Sequence, residues 1–270
     1  MDPDYVSTWI GTTTPDTITV AGLDLPSEVM GRLTLTELAY LLVTKREPTA
    51  GERRILDAVL VSLADHGLTP SALAARLTYT GAPEAIQGAV AAGLLGAGSV
   101  FLGPTGDTAD MLAAAVSTHG TDDLDHCAIH IVDLCIDSGR RVPGLGHPIH
   151  RDEDPRTPRL YAIAEEEGLL GPHLDLLRRV AVIHEAATGK RLPINGAGAA
   201  GAALVDVGVP PTVVRGFVLI ARTAGLVAHL LEESVEPIGR SLWLEIDARA
   251  AGSADERAGA SRAEGREPSR

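Results

Sequence analysis

The sequence predicts an all-α fold, because three observations agree. Apolar residues recur at helical spacing, as the Leu and Val residues of positions 33–43 do. Gly and Pro stand between these stretches, where helices usually begin and end. Aromatic residues make up only 3% of the chain, so Leu, Val and Ala must fill the core. No periodic repeat indicates a solenoid.

The predicted helices follow one another from residue 33 to residue 231. Residues 33–43, and a second helix opened by Pro48, each carry their large apolar side chains on one face. Residues 83–95 are so rich in Ala and Gly that we expect close packing on more than one side, in a bundle centre or a dimer interface. Further helices are predicted over 107–116, 124–138, 158–168, 174–188, 198–207 and 212–231.

The two ends of the chain have a different character. Residues 1–25 are predicted to be an N-terminal extended segment, with short strands at 18–20 and 23–25, where Thr and Val alternate before Pro26. Residues 251–270 contain no large apolar side chain to offset the entropy of ordering, so they are predicted to be disordered.

Composition indicates a soluble cytoplasmic protein. The formal net charge of −13 and the pI of about 5.1 argue against nucleic acid as a partner. No long apolar stretch is free of Gly or charge, and no signal pattern opens the chain, so neither secretion nor a membrane is expected. Cys127 and Cys135 fit neither a disulfide scaffold nor a zinc site, and are interpreted as core thiols of one helix.

The main functional candidate is the stretch from Val142 to Arg156. His147 follows a loop with glycines at 144 and 146, and Arg156 comes nine positions later. Glycines let a backbone approach a ligand closely, an imidazole suits acid–base chemistry, and a guanidinium suits a carboxylate or phosphate. Taken alone, the pattern also fits a surface loop with a solvated histidine.

Three more segments complete a family pattern. They are Ala64-Asp-His66-Gly, Asn195-Gly-Ala-Gly-Ala-Ala-Gly201 and Ala221-Arg-Thr-Ala-Gly-Leu-Val-Ala-His229. In this order, with the loop, they resemble the citrate synthase superfamily over residues 8–245. The resemblance is to its short members, the citryl-CoA lyases, and to the matching module of ATP-citrate lyase. It implies a homodimer of chains with a larger helical domain, residues 26–110 and 205–250, and a smaller one, residues 111–204.

The resemblance also implies the chemistry and the residues that carry it. The family makes or breaks a C–C bond between an acyl-CoA and the carbonyl of a 2-oxo acid. His147 matches the histidine that protonates or polarises the oxo-acid oxygen, and His66 matches one that binds the oxo acid. Arg156 and Arg240 match carboxylate-binding arginines.

The resemblance gives the loop a cofactor-related role as well. Val142, Pro143, Gly144, Leu145 and Gly146 match the loop around the CoA adenine. The CoA thioester is then a substrate with an oxo- or hydroxy-carboxylate, and no tightly bound cofactor is implied. No metal is expected, because no segment pairs a histidine with Asp or Glu at ligand spacing.

Some of these residues also have structural interpretations. His66 could be a cation at a helix end, and Arg240 a surface arginine. His229, among Leu and Val at helical spacing, is interpreted as a core or interface histidine rather than a catalyst. Arg141, His150 and Arg151 flank the loop, where they could meet phosphates or water.

Two family positions are altered. Leu102 stands in place of a histidine that supports the enolate oxygen, and Ala197 in place of the aspartate base. No residue of 194–205 is acidic, Asp206 lies too far along its helix, and Asp107 is the acid nearest to Leu102 in the sequence. Loss of a general base typically lowers a rate by about 10² to 10⁴.

Three functions remain open after these changes. The first is citryl-CoA lyase or citrate synthase-like chemistry, with His147 as acid–base. The second is an enzyme of specialised metabolism that acts on a bulkier, less charged substrate in a pocket that the small apolar residues enlarge. The third is a pseudoenzyme that binds a metabolite or an active homologue without turnover.

Overall fold

The predicted all-α class is confirmed. The structure is a computed structural model that describes the backbone of residues 8–264 and the side chains of residues 8–252. Within that range the helices are α1 Leu35–Thr44, α2 Ala50–Ala64, α3 Pro70–Gly81, α4 Ile86–Ala97, α5 Gly103–His119, α6 Leu124–Asp137, α7 Arg156–Glu166, α8 Pro172–Thr188, α9 Gly196–Asp206, α10 Pro211–Val235 and α11 Gly239–Glu264.

A small antiparallel sheet precedes the helices. Its strands are β1 Gly11–Thr13, β2 Ile18–Val20 and β3 Leu23–Asp24, in that order, and a π-helical turn over Leu25–Val29 follows. The strands β2 and β3 lie where alternation of Thr and Val predicted them, whereas β1 was missed. Residues 1–7 of the predicted extended segment lie outside the described residues.

Helix boundaries follow local capping chemistry. Thr34 accepts a hydrogen bond from the Glu37 N–H at 3.2 Å, and the Glu37 carboxylate accepts one from the Thr34 N–H at 2.7 Å, which makes a capping box for α1. The helix α3, which the sequence analysis did not predict, begins with Thr69 as N-cap and Pro70 in its first turn. Its small residues weakened the apolar periodicity.

The predicted disordered tail is corrected in part. The structure continues α11 as far as Glu264, so residues 251–264 are helical rather than irregular. Ala, Arg and Glu are frequent in this stretch and are strong helix formers, so the helix extends without large apolar side chains. Residues 265–270 lie outside the described part of the chain.

Packing divides the chain into two compact units. The first comprises Met1–Ala64 and Ser99–Ala221, and the second comprises Asp65–Gly98 and Arg222–Arg270. The sequence analysis predicted, from the family pattern, a larger domain of residues 26–110 and 205–250 and a smaller domain of residues 111–204. The boundaries of these domains differ from those of the two compact units. That division stays a prediction.

The first unit is built around α9, which packs against α2, α5, α7 and α8. Almost every residue of α9 is buried, because its sequence is Gly and Ala up to Leu204. At Gly201 an added Cβ would lie 2.3 Å from the Thr105 carbonyl oxygen of α5, so only glycine lets the two backbones come this close. The small-residue helix therefore acts as the centre of this unit.

In the second unit, α4 packs one face against α3. An added Cβ at Gly93 would lie 2.7 Å from Leu226 and 3.0 Å from Ala75, so this face is closely packed. Ile86 and Leu95, in contrast, are exposed within this chain. Burial of α4 on several sides is therefore not found within its unit, and the dimer-interface interpretation stays open.

A buried ion pair holds the second unit together. The Arg76 Nε donates to Glu233 Oε2 at 2.6 Å, and both side chains are almost fully buried. The Glu233 carboxylate also accepts the backbone N–H groups of Ile238 and Gly239 at 2.8–3.1 Å. One carboxylate thereby connects α3, the end of α10 and the start of α11.

Two helical stretches, Ile86–His119 and Pro211–Val235, have the length and apolar composition of a membrane span. Core helices of soluble proteins pass the same test, so this similarity is weak evidence for a membrane. The expectation of no membrane segment stays a prediction.

A second ion pair gives a pH-dependent contribution to stability. Glu52 accepts hydrogen bonds from both terminal nitrogens of Arg46, at 2.6 and 2.8 Å, and from the Thr49 N–H at 2.7 Å. The Arg46 hydrogen bonds lower the pKa of Glu52 to about 2, against the opposing effect of burial. Because the folded pKa is depressed, this stabilisation is present above the usual glutamate pKa and disappears as the pH falls toward 2.

We therefore expect Glu52→Gln to lower the free energy of unfolding by about 2 kcal/mol at pH 7, discounted for the exposure of Arg46. The difference from the native protein should shrink below pH 4. Urea unfolding at a series of pH values measures it, with the exposed Glu47→Gln as the matched control. A loss that is the same at pH 3 and pH 7 would contradict the assigned role of the charge.

Candidate active site

The predicted CoA loop is held against the start of α9. The Gly146 N–H donates to the Pro193 carbonyl at 2.7 Å, and the Asn195 N–H donates to the Gly144 carbonyl at 2.9 Å. The Asn195 side chain donates to the Gly146 carbonyl at 2.8 Å and accepts from the Gly198 N–H at 2.8 Å. Asn195 is thus both the N-cap of α9 and the residue that holds the loop.

The loop glycines are needed for this contact. Gly144 and Gly146 have φ values of 85° and 79°, in the left-handed region that favours glycine. An added Cβ at Gly198 would lie 2.5 Å from the Gly144 Cα, so the loop and the helix meet backbone to backbone. The sequence analysis interpreted these glycines as an opening for a ligand, whereas here their backbone groups largely bond within the protein.

We expect Gly198→Ala to lower the free energy of unfolding by about 1–3 kcal/mol, because no flexible side chain can move away from the new methyl group. Thermal and urea unfolding measure the change. Gly216→Ala on α10 is the matched control, since an added Cβ there has nothing within 4 Å. That control should be neutral or stabilising by up to about 1 kcal/mol. Equal stability of the two variants would refute the close contact.

His147 lies directly after the loop with a defined ring orientation. Its Nδ1 accepts the backbone N–H groups of Ile149 at 3.2 Å and His150 at 3.0 Å. A neutral ring whose Nδ1 accepts hydrogen bonds carries its proton on Nε2. The His150 ring stacks on that of His147, with centroids 4.5 Å apart. The turn therefore orients His147 as a hydrogen-bond donor through Nε2.

Arg156 is oriented by a fully buried carboxylate. Asp154 accepts hydrogen bonds from the Arg156 Nε at 2.9 Å and Nη2 at 2.7 Å, and from the Gly196 N–H at 2.7 Å. Burial raises the pKa of Asp154, but the Arg156 and Gly196 hydrogen bonds outweigh it and hold that pKa well below its usual range. Asp154 was not a predicted site residue, although the Asp-Pro-Arg spacing suits this bidentate contact.

The Arg156 guanidinium lies over the first turn of α9. An added Cβ at Gly196 would lie 2.5 Å from the Arg156 Nε, so glycine makes room for the guanidinium. Nη1 also donates to the Ser62 carbonyl at 3.4 Å. Three of the five N–H donors of Arg156 therefore have partners in the described residues, and two remain for a ligand. The Arg156 side chain is 22% exposed, and a binding group must be partly exposed for a ligand to reach it.

His66 belongs to the second unit and lies in the connection between α2 and α3. The preceding residue, Asp65, accepts the Gly67 N–H at 2.8 Å and contacts the His229 Nε2 at 2.8 Å. Burial raises the pKa of Asp65, and the Gly67 and His229 hydrogen bonds lower it by more. His229 is only 11% exposed and its hydrogen bond to Asp65 holds the segment that carries His66, and its interpretation as a core or interface histidine stays a prediction.

Two arginines of the second unit differ in burial. Arg240 is exposed in the first turn of α11, so its predicted role as a carboxylate anchor stays a prediction. Arg222 of α10 is only 6% exposed. A buried arginine is uncommon and indicates a role in binding or structure. The sequence analysis quoted the motif that contains Arg222 but did not name Arg222 as a site residue.

The two altered positions carry apolar side chains. Leu102 is buried and Ala197 is half-buried at the start of α9. The Asp206 carboxylate accepts the N–H groups of His173 at 3.0 Å and Leu174 at 2.9 Å at the start of α8, so it has a capping role.

Asp107 differs from Asp206 in its exposure. It lies one turn into α5 on the surface, and an added Cβ at Gly103 would be 3.5 Å from its Oδ2. Among the two acids that the sequence analysis weighed as a substitute base, Asp107 is therefore the one whose carboxylate is accessible.

The fold and these contacts define an all-α protein in which a glycine loop and a buried carboxylate meet at the start of the central helix α9. Residues 17–241 match the family described as citrate synthase, C-terminal domain. The chain belongs to the citrate synthase family.

Individual relatives agree with that assignment. A Mycobacterium tuberculosis relative is 28% identical over 77% of this chain and 55% of its own length. The citrate synthase of Haloferax volcanii is 26% identical over 71% of this chain and 49% of its own length. The chain thus spans about half the length of the curated relatives it matches.

Solved structures include a shorter relative. The citryl-CoA lyase of Hydrogenobacter thermophilus has a TM-score of 0.77 and 32% identity, over 84% of this chain and 86% of that one. The ATP citrate lyase of Methanosaeta concilii, solved in complex with citryl-CoA, has a TM-score of 0.72 over 87% of this chain and 39% of its own. Its identity of 22% supports the fold alone.

Proposed function

We propose that the chain is an enzyme that makes or breaks the C–C bond between an acyl-CoA and a 2-oxo acid, of the citryl-CoA lyase or citrate synthase type. One observation carries the proposal. The Hydrogenobacter thermophilus citryl-CoA lyase is 32% identical and matches over 84% of this chain and 86% of its own. The family match over residues 17–241 spans the loop, α9 and the Asp154–Arg156 pair.

His147 polarises the carbonyl oxygen of the oxo acid in this proposal. Its Nδ1 accepts two backbone N–H groups, so Nε2 is the nitrogen that presents a proton. In condensation, the Nε2–H donates to the carbonyl oxygen as negative charge develops there. In cleavage, the hydroxyl proton passes to water while the Nε2–H holds the oxygen, the C–C bond breaks as the carbonyl forms again, and its electron pair goes to the thioester carbon, which then takes up a proton. This arrangement favours His147 as a polarising donor over His147 as a base at the hydroxyl.

The carboxylate anchors complete the oxo-acid site. Arg156 keeps two N–H donors for a substrate carboxylate, and Asp154 fixes the plane of its guanidinium. The resemblance also gives His66 and Arg240 a role in binding the oxo acid, and Asp65 and His229 fix the segment of His66.

The thioester carbon needs another group for its proton. Leu102 and Ala197 provide none, and Asp206 already caps α8. Asp107 is exposed on α5 one turn beyond the Leu102 position, and we assign the proton transfer to it or to a water molecule beside it. An Asp107→Asn variant that keeps full turnover would transfer this role to water.

CoA enters this scheme as a thioester substrate rather than as a tightly bound cofactor. The segment of Val142, Pro143, Gly144, Leu145 and Gly146 is the proposed adenine loop, and its rigid attachment to α9 preorganises it.

Other properties are proposed on less direct grounds. A homodimer would cover the exposed apolar side chains of Leu95 on α4 and of Trp243 and Ile246 on α11. We also propose a cytoplasmic location, since Cys127 and Cys135 are both free thiols.

The decisive experiment is a coupled assay of the purified chain with citryl-CoA, and in the other direction with acetyl-CoA and oxaloacetate. Release or consumption of CoA in either direction supports the proposal. Absence of turnover with protection of the fold by CoA esters would favour a binding protein without catalysis. Absence of both would favour a pocket adapted to a bulkier, less charged substrate, which Leu102 and Ala197 suit.

A further inference from the structure

One turn of α10 contacts the two segments of the second unit that carry residues assigned to the oxo acid. It spans residues 229–233, and we call it the 229–233 turn. His66 lies in the connection between α2 and α3, and Arg240 lies in the first turn of α11. All of these residues belong to the second compact unit.

The 229–233 turn reaches the segment of His66 through one ring nitrogen of His229. The Nε2 lies 2.8 Å from Asp65 Oδ1, and it carries the proton because a carboxylate only accepts hydrogen bonds. The other oxygen of Asp65 accepts the Gly67 N–H at 2.8 Å. Asp65 and Gly67 flank His66 in the chain, so the hydrogen bond from His229 fixes the backbone on both sides of His66.

The second ring nitrogen of His229 makes no hydrogen bond to the residues that the structure describes. This Nδ1 is buried without a partner, and it lies 3.8 Å from Glu232 Oε2, which is beyond hydrogen-bond distance. A buried polar atom without a partner is costly. An apolar side chain would fill the same space without that cost, so the imidazole indicates a need for the Nε2 donor.

The other end of the 229–233 turn holds the start of α11. Arg76 of α3 donates to Glu232 Oε2 at 2.9 Å and to Glu233 Oε2 at 2.6 Å. The Glu233 carboxylate also accepts the Gly239 N–H at 2.8 Å, one residue before Arg240. The turn is therefore anchored on α3, and it fixes the backbone next to Arg240 as well as that around His66.

On the basis of the proposed function, we propose that His229 is a positioning residue for the oxo acid. Its Nε2–H holds Asp65, and Asp65 holds the segment of His66, so His229 acts without touching the substrate. The Glu233 end of the same turn serves Arg240. Misplacing a binding group by about 1 Å can cost about a hundredfold in rate. The effect should fall on the oxo acid rather than on CoA, whose proposed loop belongs to the first unit.

The test compares two amide side chains at position 229 of the full chain. In His229→Gln the amide nitrogen can replace the imidazole Nε2, whereas the shorter side chain of His229→Asn can replace only the Nδ1. By calorimetry, His229→Asn should weaken the Kd for oxaloacetate by about tenfold, the equivalent of one hydrogen bond to a charged group. His229→Gln should stay within about threefold of the native Kd, and the Kd for CoA should change in neither variant by more than that. An unchanged Kd for oxaloacetate in His229→Asn would overturn the proposal.

Hydrogen exchange checks the same contact without any ligand. The Gly67 amide should exchange about tenfold faster in His229→Asn and at a near-native rate in His229→Gln, because only the first variant releases Asp65. The Gly146 amide of the first unit is the internal reference and should keep its native rate in both. A general loss of stability would instead speed all the slowly exchanging amides together.

The two measurements separate the positioning role from the proposed function. If the native protein does not bind oxaloacetate but the Gly67 amide responds to His229→Asn, the proposed function fails and the hold of His229 on the His66 segment stands. If oxaloacetate binds and neither measurement responds, the positioning role fails and the proposed function stands. Glu236→Gln, which alters an exposed acid directly after α10, is the control and should match the native protein in both. If His229→Asn does not fold, Asp65→Asn removes the same carboxylate contact from its exposed side.

Discussion

Replacing His147 with asparagine is expected to lower kcat for C–C bond cleavage or formation by about 10² to 10⁴. The asparagine Oδ1 can still accept the backbone N–H groups of Ile149 and His150, so the turn should keep its shape. What the variant loses is the donor at Nε2. Steady-state kinetics with citryl-CoA measure the effect, and KM should change much less than kcat.

Two further variants separate chemistry from folding. His147→Ala removes both the donor and the acceptor, so it should show the same loss of kcat and a free energy of unfolding lower by about 1–3 kcal/mol. His150→Gln keeps the backbone N–H that bonds to Nδ1, and its kcat should stay within about tenfold of the native value. Full activity of a folded His147→Asn protein would rule out the donor role.

Replacing Asp154 with asparagine is expected to lower the free energy of unfolding by about 3–5 kcal/mol, the usual cost of breaking a buried ion pair. Asp154 is fully buried, and both oxygens of its carboxylate accept hydrogen bonds, from Arg156 and from the Gly196 N–H. An amide nitrogen in the same place would face another donor. The same variant should raise KM for the oxo acid, since Arg156 is then no longer held in one plane.

The pH dependence checks the role of the charge. Because the folded pKa of Asp154 is depressed, its stabilisation is present at neutral pH and is lost as the pH falls below the usual aspartate pKa. The native and variant proteins should therefore converge in stability under acidic conditions. Asp152→Asn, an exposed acid of the same loop, is the control and should stay within about 0.5 kcal/mol of the native protein. Equal unfolding curves for Asp154→Asn would contradict the assignment.

The all-α class and most helix positions could be predicted from the sequence, since each depends on local periodicity and on Gly or Pro at the boundaries. The prediction was weak where a helix forms without large apolar side chains. α3 is a helix although its small residues carry little periodicity, and α11 continues to Glu264 through helix propensity. Apolar periodicity in a sequence reveals a helix through its large buried side chains, so a helix built from small residues is not detected.

The candidate site was predictable in its residue types but not in its contacts. His147 and Arg156 were found from their motif, whereas Asp154, Asn195 and Gly196 act through hydrogen bonds between residues 42 and 49 positions apart. Likewise, the hydrogen bond between His229 and Asp65 joins residues 164 positions apart. Contacts across such sequence distances depend on how helices pack, which local patterns do not encode.

The double role of Asn195 has a consequence for local unfolding. Its side chain bonds to the Gly146 carbonyl and the Gly198 amide at once, so the loop cannot detach without the first turn of α9 losing its cap. Segments linked in this way tend to open together as one cooperative unit. The amide protons of Gly146, Asn195 and Gly198 should then exchange with deuterium at a common rate, so that the loop has the lifetime of the buried helix rather than that of a surface turn.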